Sequence, residues 1–221
     1  MTNLPIYVSV VFILTTFLTV FLFFRATRYS KSVLVGIAIW SLLQAVLSAY
    51  HFYHQTTTFP PRFPLQVIPP LLVIIYFFAF PRGRRLLNSL DGATLTLLHT
   101  IRIPVELVLY WLFLSGAVPE LMTFEGRNFD ILAGITAPLV YYFGYVKQQL
   151  STRVMLIWNG VALILLINIV VNALLSAPLP FQQFAFEQPN VAVLYFPFAW
   201  LPSVVVPIVL FSHLVCIRQL R

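Results

Sequence analysis

The sequence predicts an all-α integral membrane protein with seven transmembrane helices, its N-terminus outside and its C-terminus in the cytoplasm. Of the 221 residues, 60% are hydrophobic and only 9% are charged, whereas a soluble domain carries about a quarter charged residues. This number of charged side chains is too small to cover the surface of a folded protein in water. We therefore expect lipid to be the solvent. The apolar residues also fall in seven runs close to the roughly 20 residues that a transmembrane helix needs.

The seven runs account for nearly the whole chain. The approximate spans are 5–24, 32–52, 64–80, 93–118, 129–146, 154–175 and 191–217. The third run is short and contains Pro69-Pro70, and the last contains three prolines, which predict kinks. No connection is long enough to fold as a separate domain, so we expect residues 1–221 to form one transmembrane domain.

The loops give the orientation, because cytoplasmic loops of membrane proteins carry an excess of Lys and Arg. Of the thirteen basic residues, ten fall on one side of the alternating spans, two on the other, and Arg102 lies within a span. The ten are Arg25, Arg28, Lys31, Arg82, Arg84, Arg85, Lys147, Arg153, Arg218 and Arg221. The side that holds only Arg62 and Arg127 is therefore predicted to be outside. The basic residues lie in short gaps between apolar runs and not on a soluble surface, which argues against nucleic-acid binding.

The fourth span contains the clearest candidate site. His99, Arg102 and Glu106 follow one another at spacings of three and four residues, which place them on one helix face. Ionisable residues inside a membrane are costly and usually functional. A structural alternative is that Arg102 and Glu106 simply neutralise each other and fasten helices together.

The second span predicts a polar stripe facing the bundle interior, and this stripe ends in a possible metal site. Ser41, Gln44, Ser48, His51 and Gln55 recur at helical steps. His51 and His54 could hold a divalent metal if carboxylates converge on them. Interface histidines that only form hydrogen bonds are the commoner case. A haem between His99 and His213 is conceivable from axial-ligand chemistry, but one such pair is easily accidental.

Further polar residues cluster toward the outer half of the predicted bundle. The loop after the fourth span holds Glu125, Gly126 and Arg127, where glycine permits a turn that presents both charges to one ligand. Asn128 could cap the fifth helix, with Asp130 in its first turn. One pocket open to the outside could be lined by His51, His54, Glu106, Tyr110, Glu125, Arg127, Asp130, Asn168 and Asn172.

Three functions fit this pattern. The first is binding or transport of an amphipathic or anionic small molecule or lipid, with Arg102 and Arg127 holding negative charge. The second is a membrane-embedded enzyme, possibly metal-dependent, that acts on a lipid or lipid-linked substrate. The third is a sensory or structural membrane subunit. We expect membrane lipids as partners and a bacterial inner (cytoplasmic) membrane as the location.

Overall fold

The structure is a computed structural model that describes residues 4–56 and 62–221, and every regular element in these ranges is a helix. The eight longer helices are named here in chain order. They are α1 (Ile6–Ala26), α2 (Lys31–Ala49), α3 (Pro64–Ala79), α4 (Pro81–Ser89), α5 (Gly92–Leu114), α6 (Ile131–Val146), α7 (Thr152–Ser176) and α8 (Leu201–Gln219).

The all-helical prediction is therefore confirmed for the described residues, and the length of the helices is compatible with a membrane protein. Five of them, α1, α2, α5, α7 and α8, are long and apolar enough to cross a bilayer. Helices α3 and α4 together form a sixth candidate, although they meet at an angle of 93°. Helix α6 is apolar but shorter.

Helices α5 and α8 form the centre of the bundle. Helix α5 packs against α1, α6 and α8, while α8 also contacts α3 and α7. The core between them is aliphatic and aromatic, and includes Leu98, Leu112, Phe198 and Val215. Helix α2 lies at the periphery, where most of its apolar side chains are exposed, as expected of a helix that faces lipid.

Prolines shape the two central helices. Pro104 lacks an N–H and cannot bond the carbonyl four residues back, and α5 tightens to a 3₁₀ turn over His99–Ile101 just before it. Pro207 likewise leaves the Ser203 carbonyl without its helical donor. The Trp40 indole Nε1 donates to that oxygen at 2.8 Å, which ties α2 to α8. The carbonyl that lacks its helical donor thus accepts a hydrogen bond from a neighbouring helix.

Helix α4 follows the sharp bend at Phe80 and was expected from sequence to be only a basic loop. Its close return is possible because Gly83 has no side chain: a Cβ there would lie 2.4 Å from the Phe77 carbonyl oxygen. Arg84 Nε donates to the Phe78 carbonyl at 3.0 Å across the bend. The three arginines of α4 are exposed whereas Gly83 and Leu87 are buried, which suits a helix that lies at a membrane surface.

Three helix ends differ from the expected spans by three residues or more, and one of them is the end of α5, at Leu114 and not at residue 118. Helix α2 ends at Ala49 and not at residue 52, since His51 adopts a left-handed conformation with φ 58°. The last helix begins at Leu201 rather than at 191. A 3₁₀ turn at Ala192–Leu194 and an irregular stretch precede it, because Pro197 cannot donate a helical hydrogen bond.

Candidate functional site

An ion pair between two helices forms the centre of the candidate site. Arg102 on α5 is 2% exposed, and its Nη1 lies 3.2 Å from Oδ1 of Asp130 at the start of α6. The approach lacks hydrogen-bond alignment, so Asp130 Oδ1 has no hydrogen-bond partner among the described residues. Both terminal nitrogens of Arg102 also donate to the Ala162 carbonyl of α7, at 3.2 and 3.3 Å. Arg102 therefore joins three helices.

Glu106 is held by Asn128 and not by Arg102 alone. Asn128 is fully buried, and its Nδ2 donates to Glu106 Oε1 at 2.6 Å and to the Met122 carbonyl at 3.0 Å. Its Oδ1 accepts from the backbone N–H of Asp130 at 3.0 Å. The side chain thus closes a turn onto Asp130, the N-cap residue of α6, and orients a buried carboxylate at once. The expected pairing within α5 is replaced by a network between helices.

Gly134 makes this network possible. A Cβ at position 134 would lie 3.0 Å from the backbone N of Ile103 and 3.2 Å from the Cβ of Arg102. Only a glycine lets α6 approach α5 so closely at this level. The short separation brings Asp130, one turn before Gly134, within reach of the guanidinium.

A cavity of about 90 Å³ lies beside the network. Its walls are mostly apolar, and its polar lining consists of Glu106, Asp130 and Asn190. Each of these three side chains has an oxygen without a hydrogen-bond partner in the described chain: Glu106 Oε2, Asp130 Oδ1 and Asn190 Oδ1. With the carboxylates ionised, all three atoms can only accept hydrogen bonds, and Asp130 Oδ1 is also the atom paired with Arg102.

His99 lies in a second buried group, next to α8. Its ring stacks on that of His213, with centroids 3.7 Å apart and planes at 13°. His213 Nδ1 lies 3.0 Å from Asn159 Oδ1, which can only accept, so Nδ1 carries the proton. Rings in face contact leave no gap for a porphyrin between them, so this geometry does not fit the haem considered above.

The remaining outer residues lie near the network without entering the cavity. Asn172 Nδ2 donates to Asn168 Oδ1 at 3.3 Å, and Asn168 Nδ2 donates to the Arg127 carbonyl at 2.8 Å. These bonds tie α7 to the loop between α5 and α6. The side chains of Glu125 and Arg127 are exposed, with Glu125 close to the Tyr110 hydroxyl.

His51 and His54 lie apart from the acidic residues. Their rings are 4.4 Å apart, and His54 also packs on Tyr195 at 4.0 Å. Burial and the nearby His51 lower the pKa of His54. Among residues 4–56 and 62–221, no three His, Cys, Asp or Glu side chains are grouped so as to hold a metal ion. Metal binding by this pair stays a prediction.

Of the predicted ligand-binding residues, Arg102, Glu106 and Asp130 come together, while the others are distributed around them. Two buried side chains, Asn128 and Asn190, were not assigned to the site from sequence. The sequence predicts Asn128 as the cap of this helix, but the N-cap residue is Asp130, and Asn128 instead bonds the Asp130 N–H and Glu106. Asn190 carried no signal, because it ends a long loop whose path the sequence does not define.

The apolar helices are compatible with a membrane protein, and they enclose a buried charged network. Residues 62–221 match the model of a family described as a domain of unknown function, DUF8737. The chain belongs to that family. Helices α1 and α2 precede the matched residues. No curated protein and no solved structure matches the chain.

Proposed function

We propose that this protein binds a small amphipathic molecule through a hydrogen-bond-donating or cationic group in the cavity beside Glu106. The observation that carries the proposal is that Glu106, Asp130 and Asn190 line one apolar cavity, each with a buried oxygen that has no hydrogen-bond partner among the described residues. Buried polar atoms without partners are rare in folded proteins and call for a ligand, water or ion.

The net charge of the network also favours a ligand that donates hydrogen bonds over one that accepts them. The network contains two carboxylates, those of Glu106 and Asp130, and one guanidinium, that of Arg102. With both acids ionised, its net charge is negative, and a bound cation would neutralise it. The terminal nitrogens of Arg102 are already directed to Ala162 and Asp130. The anionic ligand considered from sequence is therefore less well supported than an amine or alcohol.

The size of the cavity limits the ligand. A single water needs about 10–15 Å³ of such space, so a cavity of about 90 Å³ holds several waters or the head of a small molecule. The apolar walls, including Val105 and Leu166, would contact the hydrocarbon part. A lipid would place only its head group there.

Binding of small cations to the purified protein tests the proposal. We expect ethylammonium to raise the melting temperature of the wild-type protein in detergent, in proportion to ln(1 + [L]/Kd). Tetramethylammonium has the same charge but no N–H, and should stabilise less. Glu106→Gln keeps an oxygen to accept from Asn128 and removes the charge, so it should abolish the shift.

The matched control is Glu125→Gln, which removes an exposed carboxylate from the neighbouring loop and should leave the shift unchanged. An equal response of wild type and Glu106→Gln would overturn the proposal, as would no response of wild type. A metal-dependent enzyme and a sensory subunit remain alternatives without a specific supporting observation.

We further propose that the bundle crosses a bacterial inner membrane seven times, with the N-terminus outside. Two features support crossings by the less certain helices α3 and α6. Helix α6 begins at Asp130, beside the outer loop, and its last turn places Tyr145 next to Asp91 at the opposite end of α5. Helix α3 contacts α8 and starts near Asn190, beside the same outer cavity.

Labelling of introduced cysteines tests the orientation. In a Cys216→Ala background, Ser115→Cys between α5 and α6 should react with an impermeant maleimide in intact spheroplasts. Ser89→Cys at the end of α4 should react only after permeabilisation. Both serines are exposed, so access depends on the side of the membrane. The reverse pattern would contradict the orientation, and labelling of both from outside would contradict the count.

A further inference from the structure

A second, larger cavity lies at the basic end of the bundle, opposite the acidic one. It has a volume of about 460 Å³ and opens where α1, α5, α6 and α8 meet. This size is within the usual range for ligand pockets, roughly 300–1,000 Å³. Its polar lining comprises Arg25, Arg28, Tyr29, Asp91, Tyr145 and Gln219.

The two arginines are available to a ligand. Arg25 and Arg28 are exposed, and neither side chain has a hydrogen bond or ion pair with any other described residue. Arg25 belongs to the last turn of α1, whereas Arg28 lies in the following turn with φ 54°. A guanidinium presents N–H donors in a fork that matches phosphate oxygens.

Asp91, the one acidic residue that lines the cavity, forms its hydrogen bonds with α5 and not with the two arginines. The Asp91 carboxylate accepts from the backbone N–H groups of Ala93 and Thr94, at 3.2 and 3.3 Å, and from the Thr94 hydroxyl. Its charge therefore caps the positive end of α5. The unpaired charge in the cavity is positive.

The floor of the cavity is built by close packing. Gly92 lies under Gln219 and Tyr145: a Cβ at position 92 would be 2.6 Å from Gln219 Oε1 and 3.3 Å from the Tyr145 hydroxyl oxygen. Gln219 Nε2 donates to the carbonyls of Leu87 and Leu90, at 2.8 and 2.9 Å, which secures α8 against the segment before α5. The space is thus bounded by four parts of the chain.

We propose that this cavity binds a phosphate-bearing group through Arg25 and Arg28. An anionic lipid head group and a soluble phosphate compound share this chemistry. The exposed Phe21 and Tyr29 beside the two arginines offer apolar surface to an acyl chain. The site is separate from the acidic cavity, so neither proposal depends on the other.

Lipid retention by the full chain tests the site. Protein purified in mild detergent is titrated with phosphatidylglycerol and followed by native mass spectrometry, with phosphatidylcholine as the comparison lipid. Arg25→Gln with Arg28→Gln should weaken phosphatidylglycerol binding at least about tenfold, because it removes charge-assisted hydrogen bonds. Arg25→Lys with Arg28→Lys keeps the charge and should recover part of the affinity.

The control pair is Arg82→Gln with Arg85→Gln, which removes two exposed charges from α4 at the same end of the bundle. It should change the affinity less than about twofold, since neither arginine lines the cavity and exposed charges outside a site are screened by salt. A second arm adds inorganic phosphate: displacement of the lipid, or binding without lipid, identifies a soluble phosphate compound as ligand. Equal weakening by both glutamine pairs, or weakening by neither, would overturn the proposal.

Discussion

The ion pair between Arg102 and Asp130 is a sensitive place to perturb the bundle. Both side chains are buried, at 2% and 7% exposure. Arg102→Met would leave the two acids without a cation, and breaking one side of a buried pair costs about 3–5 kcal/mol. Asp130→Leu would leave Arg102 without its acid, at a similar cost.

The double variant distinguishes the energy of the ion pair from the destabilisation that each single substitution causes by itself. Replacing a whole buried pair with apolar residues is often nearly neutral. Arg102→Met combined with Asp130→Leu should therefore be less destabilised than the two single variants together, by at least about 2 kcal/mol. This difference is the coupling free energy, and it measures the interaction alone.

Unfolding in mixed micelles with increasing dodecyl sulfate, followed by tryptophan fluorescence, would measure the four free energies. The control is Arg127→Met, which removes an exposed arginine from the outer loop and should change stability by less than about 0.5 kcal/mol. Additivity of the two single variants within about 0.5 kcal/mol would refute the ion pair as described.

Three further predictions concern other parts of the bundle and use the same unfolding assay. Gly134→Ala should destabilise the protein by about 1–3 kcal/mol, because the added Cβ would meet the backbone of α5. Gly160→Ala lies at an open position on α7 and should stabilise the protein by about 0.5–1 kcal/mol. A change of the same sign at both sites would contradict the close approach of α6 to α5. Trp40→Phe leaves the Ser203 carbonyl without its donor and should cost about 1–3 kcal/mol, and no loss would show that the bond is unimportant. The pKa of His54 is lowered in the folded state, so the unfolded chain takes up the proton first and stability should fall as the pH drops below about 6.5. His54→Gln should reduce that dependence, and an unchanged profile would assign it to other groups.

Helical periodicity explains what the sequence predicted well. The face shared by His99, Arg102 and Glu106 depends only on spacings within α5, and all three side chains are buried. Partners on other helices could not be predicted in the same way. Asp130 pairs with Arg102 because Gly134 lets α6 come close, and one sequence does not reveal which helices are neighbours.

The helix ends that differ from the prediction have local causes that amino-acid composition does not reveal. The polar stripe of α2 predicted burial of Gln44 and Ser48, and both are buried. Its continuation to His51 fails because the chain turns left-handed there. The basic stretch after α3 forms a helix, since Gly83 allows it to fold back at the bend. Each of these turns depends on the backbone conformation at one residue, and the average hydropathy of a segment does not show it.

The bond from Trp40 to Ser203 has a consequence for biogenesis. During synthesis the indole emerges from the ribosome more than 160 residues before its acceptor carbonyl. Until α8 has been synthesised, α2 lacks this anchor and α5 lacks its neighbour at the centre of the bundle. The finished arrangement can therefore form only after α8 is available, so the earlier helices cannot reach their final packing before that point.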